Sequence, residues 1–173
     1  MCGIFFVMNQ SENETYIQNE FFKGKSRGPD DFKFIKIINV YLGFHRLAIN
    51  GLDPAGMQPF VKNNCYLICN GEIYNHKILY SYLDTLPTSG SDCEIILDLY
   101  LKYGIDYTCR ILDGVFAFVI LDLNKDFIYF SRDPFGVRPL FYYNAVTSFG
   151  VSSELKTLQR FYYKVLQFPP GHY

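Results

Sequence analysis

Apolar residues open the chain in an almost unbroken run, residues 2–8 (CGIFFVM), whose length and β-propensity predict a buried strand beginning at the terminus itself. Ser11-Glu12-Asn13-Glu14 has capping-box spacing and leads into a helix that ends before the turn Arg27-Gly28-Pro29-Asp30. Strand patterns follow at residues 34–39, 41–47 and 65–70, the last two flanking a Gly- and Pro-punctuated loop at 50–59. Asn75 is placed to cap a helix whose Ile78, Leu79, Tyr82, Leu83 and Leu86 share one face. Ser91-Asp92-Cys93-Glu94 repeats the capping-box spacing; the helix it opens gathers Cys93, Ile96, Leu97 and Tyr100 and stops at Gly104. Asp92 thereby falls in a helix's first turn.

From residue 115 the pattern changes to short apolar segments, 115–121, 127–130, 140–143 and 148–151, separated by turn residues, which predicts an antiparallel meander. Strand groups with helices between them point to the α+β class with layered sheets, not alternating βαβ units.

Composition narrows the picture. A chain of 173 residues, 49% apolar and 19% charged, suits one globular domain. A net charge of −1, with acids and bases interspersed, implies neither nucleic acid nor an anionic membrane surface as partner, leaving a small molecule or a protein. No stretch approaches the roughly 20 apolar residues that span a bilayer. Five cysteines without the features of a secretory leader imply a reducing compartment, the cytoplasm.

Candidate chemistry begins at Cys2. Removal of Met1 would expose its α-amine, which titrates near 8 against about 8.5 for a free thiol, so the residue would carry its own base. The plainer reading makes Cys2 an early residue of a buried strand. Asn70-Gly71-Glu72 offers a side-chain amide beside an unobstructed glycine N–H, two donors for a developing oxyanion, or simply a turn between strand and helix. Arg46 can hold an α-carboxylate through two parallel hydrogen bonds while Glu72 or Asp92 takes an α-ammonium, or it can pair with a surface carboxylate.

Other features read as structural. Cys65, Leu67 and Cys69 share one strand face as core side chains, and three dispersed histidines argue against a zinc site. Residues 132–139 (RDPFGVRP) form either a functional loop or a rigid corner. Neither G-x-G-x-x-G nor G-x-x-x-x-G-K-[ST] occurs, so no ATP chemistry is evident.

A resemblance joins these pieces. Met1-Cys2-Gly3-Ile4, Arg27-Gly28-Pro29-Asp30, Gly43-Phe44-His45-Arg46-Leu47-Ala48-Ile49, Met57-Gln58-Pro59, Asn70-Gly71-Glu72-Ile73-Tyr74-Asn75-His76, Asp92-Cys93-Glu94, Leu112-Asp113-Gly114-Val115-Phe116-Ala117-Phe118, Arg132-Asp133, Gly136-Val137-Arg138-Pro139-Leu140-Phe141, Ser153-Glu154 and Pro170-Gly171-His172-Tyr173 span nearly the whole chain in order. In them the chain resembles the N-terminal class II glutaminase domain of glutamine-hydrolysing asparagine synthetases. Arg-Gly-Pro-Asp is shared by several class II amidotransferases, whereas the run from Asn70 to His76 is specific to the asparagine synthetase branch.

The resemblance implies an N-terminal-nucleophile hydrolase fold, an αββα four-layer sandwich with two antiparallel sheets. It implies Cys2 as the nucleophile forming a γ-glutamyl thioester, with the Asn70 side chain and the Gly71 N–H as the oxyanion hole. Arg46 would bind the glutamine α-carboxylate, Leu47, Ala48, Ile49 and Asn50 would line the site, and Glu72 and Asp92 would take the α-amine. The products would be glutamate and ammonia, with no cofactor for this step. ATP and Mg would serve only an aspartate-activating synthetase domain or subunit, the ammonia acceptor, which is absent from residues 1–173. A homo-oligomer is compatible with the resemblance.

Two positions depart from the family pattern: Ser26, where a His is common, and Asn50, where an apolar residue is usual. Two other functions share the fold: a catalytically silent docking module, and an ammonia source for an amidophosphoribosyltransferase or aminosugar synthase.

Overall fold

The structure is a computed structural model describing residues 1–50 and 52–173. Among these residues the strands form a six-stranded sheet, ordered β10-β8-β9-β1-β3-β2, and a four-stranded sheet, ordered β4-β5-β6-β7. The first contains β1 (Gly3–Met8), β2 (Asp31–Ile37), β3 (Val40–Arg46), β8 (Phe141–Asn144), β9 (Phe149–Ser152) and β10 (Leu166–Gln167). The second contains β4 (Phe60–Lys62), β5 (Cys65–Ile73), β6 (Gly114–Asp122) and β7 (Phe127–Arg132). Three helices accompany them: α1 (Glu14–Phe22), α2 (His76–Leu83) and α3 (Ile95–Ile111).

The alternation of strand side chains builds the layers. Ile4 and Phe6 of β1, Leu42 and Phe44 of β3, and Ala117 and Val119 of β6 meet between the two sheets. Their neighbours Phe5, Val7 and Tyr41 face the other way, onto Ile17 and Phe21 of α1 and onto Leu158. Cys65, Leu67 and Cys69 of β5 and Phe116, Phe118 and Ile120 of β6 face α2 and α3. Helix, sheet, sheet and helix thus stack as the αββα sandwich expected from the resemblance. β1, β3, β5 and β6 carry buried apolar side chains on both faces because both faces are covered.

Several local expectations are corrected by tertiary contacts. The cap of α1 is Asn13, whose side chain accepts from the Tyr16 N–H at 2.9 Å; Ser11 contacts Glu12 instead. Asn75 precedes α2 without capping it, because its amide bridges the end of α3 to β6, donating to the Ile111 carbonyl and accepting from the Asp113 N–H. The buried face of α2 is Leu79, Tyr80 and Leu83, while Ile78, Tyr82 and Leu86 lie 54–84% exposed. Ser91 caps a short turn, Asp92–Glu94, but Glu94 reaches Thr88 and Ser89 and makes no reciprocal capping-box bond. Gly104, at φ +80°, breaks α3 without ending it, and Ile105, Cys109 and Ile111 continue onto the core.

Two corrections shape the site. β5 runs on to Ile73, so Asn70 and Gly71 are not a turn; they sit inside the strand, paired with Ala117 and Phe116 of β6. The expected meander divides, β6 and β7 joining one sheet and β8 and β9 the other. Residues 133–139 make the crossing. Asp133 is fully buried and accepts from the N–H groups of Phe135, Val137 and Arg138, while the Arg132 guanidinium donates to the carbonyls of Gly136, Arg138 and Phe168. Of the two readings of this segment, the rigid corner holds, and it delivers Arg138 to the cleft described next.

Candidate active site

β1 and β3 are neighbours with Gly3 opposite His45, so Cys2, just ahead of β1, and Arg46, the last residue of β3, meet at one end of the larger sheet. β5 of the other sheet brings Asn70 and Gly71 to the same end. Cys2, Arg46, Leu47, Ile49, Asn50, Asn70, Gly71, Glu72 and Asp92 line a single cleft. Ala48 does not; its N–H is turned to Asp30 Oδ2 at 2.8 Å, which ties the loop after β3 to the Arg-Gly-Pro-Asp turn.

The Cys2 thiol lies against Leu47, donating to its carbonyl at 3.5 Å and accepting from its N–H at 3.4 Å. Burial pushes the thiol above its ordinary pKa; the Leu47 N–H, the amino terminus and Arg46 oppose that rise without cancelling it. The main chain of Cys2 is held more firmly. Arg27 Nε donates to its carbonyl at 2.9 Å, and Nη1 of the same guanidinium pairs with Glu154 at 3.0 Å. With its amide turned to suit its neighbours, Asn70 donates to the Cys2 carbonyl at 3.1 Å and accepts from Arg27 Nη2 at 3.2 Å. Next along, Ile4 donates to Ser153 Oγ and accepts from the Ser153 N–H, so the first residues of β1 have partners on both sides.

Across the cleft, Arg46 is 7% exposed and donates to the Asp53 carbonyl at 2.8 Å. Asp92, 5% exposed, accepts the Ile73 N–H on Oδ2 at 2.6 Å and the Asn50 amide on Oδ1 at 3.2 Å. Glu72 stands exposed at the rim. Behind Asp92, Glu94 is fully buried and takes Lys62 at 2.7 Å together with the N–H groups of Thr88 and Ser89. Burial alone would raise this carboxyl; Lys62, Thr88 and Ser89 outweigh it and bring the pKa down to about 2.

The cleft also contains residues to which sequence reasoning assigned no role. Gln58, 3% exposed, clamps Cys69 by donating to its carbonyl and accepting from its N–H. Arg138 lies beside Met1, with its Nε buried and unpartnered among the described residues. Arg27 and Glu154, outside the cleft lining, are 127 positions apart, so no local pattern links them, although both belong to motifs that carry the resemblance. Met1 itself lines the cleft.

A sequence comparison matches residues 1–172 to the glutamine amidotransferase domain. The chain belongs to that family. The glutamine amidotransferase domain is 43% identical over 189 aligned positions to the asparagine synthetase [glutamine-hydrolyzing] of Homo sapiens, covering 100% of this chain and 33% of that protein. The probable asparagine synthetase of Acanthamoeba polyphaga mimivirus is 40% identical over 183 positions, with the same coverage. The domain therefore spans about a third of the length of these curated relatives. Among solved structures, the glutamine phosphoribosylpyrophosphate amidotransferase of B. subtilis superposes with a TM-score of 0.78 at 20% identity, over 98% of this chain and 46% of that one. An allosteric regulatory enzyme of purine biosynthesis gives 0.77 at 18%, over 98% and 45%. At such identity the likeness establishes the N-terminal-nucleophile fold and not the pathway.

Proposed function

We propose that this domain hydrolyses L-glutamine to L-glutamate and ammonia, with Cys2 as nucleophile once Met1 has been removed. The observation that carries the reading is the convergence of Cys2, Arg46, Asn70, Gly71 and Asp92 on one cleft, although they belong to different strands and turns. The freed α-amine of Cys2 takes the thiol proton, directly or through a water, and the sulfur attacks the side-chain amide carbon of glutamine. The Asn70 amide and the Gly71 N–H receive the developing oxyanion. The amine returns its proton to the leaving nitrogen, ammonia departs, and water cleaves the thioester to glutamate and the free thiol.

Arg46 is the partner for the substrate α-carboxylate, and Asp92 with Glu72 the partner for its α-ammonium. Apart from glutamine and water, every group that this step uses belongs to the protein, so we assign it no cofactor. From the identity to asparagine synthetases we infer that the ammonia passes to a synthetase domain or subunit that uses ATP and Mg to form asparagine. Five free thiols support a cytoplasmic setting, and no helix among the described residues is long and apolar enough to cross a membrane.

The test is glutamate release by protein whose intact mass shows Met1 removed, with Cys2→Ala in parallel. Release dependent on Cys2 is expected; a Cys2→Ala protein releasing glutamate at the parental rate overturns the reading.

A further inference from the structure

Asp92 is almost completely buried in a site meant to receive a cation. Its Oδ2 is committed to the Ile73 N–H at 2.6 Å, a bond that also fixes the end of β5. Its Oδ1 is covered by the Asn50 amide at 3.2 Å, and the carboxyl as a whole is only 5% exposed. A substrate ammonium that is to touch Asp92 must therefore reach an oxygen that a neutral side-chain donor already occupies.

The segment carrying Asn50 is suited to yielding that place. Asn50 is exposed, and Ile49 and Leu52 are 68% and 73% exposed, so little apolar packing holds their side chains down. The tethers that flank the segment are at Leu47, to Cys2, and at Ala48, to Asp30, on one side, and at the Asp53 carbonyl, to Arg46, on the other. An amide–carboxylate hydrogen bond can be exchanged for an ammonium–carboxylate pair, in which both partners are charged and the attraction is stronger.

Building on the glutamine reading above, we propose that Asn50 occupies the α-ammonium seat on Asp92 in the empty site, so that substrate binding is a displacement and the residue at position 50 sets substrate affinity. Asn50 stands in for the ligand's own donor. It satisfies Oδ1 of a buried carboxylate whose other oxygen is taken by the Ile73 N–H, and in doing so competes with the ligand. Ligands that lack an α-ammonium have no charge with which to displace it.

Calorimetric titration of L-glutamine into the Met1-processed Cys2→Ala protein measures binding without turnover. The same titration is made with Asn50→Val and Asn50→Ala added, each variant first shown by thermal melting to be folded. Loss of the competing donor is expected to tighten binding roughly five- to tenfold in both, the free-energy scale of part of one hydrogen bond to a charged group. Unchanged or weaker binding in the two Asn50 variants, with the parent binding normally, overturns the displacement and leaves the glutamine site standing. If the parent itself binds no glutamine, the site reading fails, and this proposal with it.

Discussion

Arg27 Nε donates to the carbonyl of Cys2 at 2.9 Å, while Nη1 of the same guanidinium is held by Glu154 at 3.0 Å. The peptide unit behind the proposed nucleophile is thus fixed by a planar fork, a role that the single ammonium of lysine cannot reproduce. Arg27→Lys should lower kcat/KM for glutamine by about 10- to 100-fold, the loss expected when a positioning contact worth one to two tenfold steps is removed. Glutamate-release kinetics decide the point; an unchanged kcat/KM would mean that β1 holds Cys2 in place without this clamp.

Glu94 carries a pH dependence of stability. Its folded carboxyl is depressed to about 2 from an ordinary 4.5, so its contribution is complete above about pH 4.5 and disappears as the pH falls toward 2. The difference is on the order of 3 kcal/mol for this fully buried side chain. Glu94→Gln should flatten the acid limb of a stability–pH curve measured by urea titration. An acid limb as steep as the parent's would place the sensitivity elsewhere.

Gly71 has no room for a side chain. A Cβ there would stand 2.7 Å from the Val115 carbonyl oxygen and 2.9 Å from the Phe116 Cα, both main-chain atoms of the neighbouring strand. Gly71→Ala should therefore destabilise the fold by about 1–3 kcal/mol, the scale of overpacking, as β5 and β6 are pushed apart. The same shift moves a proposed oxyanion donor, so activity should fall further than stability. Denaturant midpoints measured beside glutamate release at a temperature where both proteins are folded would separate the two effects.

Retention of Met1 should abolish turnover. The nitrogen of Cys2 is then an amide with no useful basicity, and Met1 lines the cleft. A preparation blocked from processing, with Met1 present by intact mass, should release no glutamate while melting normally. Turnover at the processed rate would move the general base away from the Cys2 amine.

What the sequence determined by itself is the layers and, through the family resemblance, the expected chemistry. Strand alternation in residues 3–8, 40–46 and 65–73 dictates which side chains can share a core, because period two leaves no other choice of face. Residue types alone left Cys2, Arg46, Asn70, Gly71 and Asp92 each with a plain structural reading; the family resemblance of the motifs that contain them is what implied an amide-hydrolysing site. Local rules failed where a side chain had a better partner far away: Asn75 left its helix for Ile111 and Asp113, and Glu94 left its capping box for Thr88, Ser89 and Lys62. Only the tertiary structure decided that Asn70 and Gly71 lie within a strand, that Arg27 grips Cys2, and that Asn50 covers Asp92. The physical reason is common to all three. Each is a contact between segments distant in the chain, selected by which polar groups burial leaves in need of a partner, and no window of neighbouring residues contains that information.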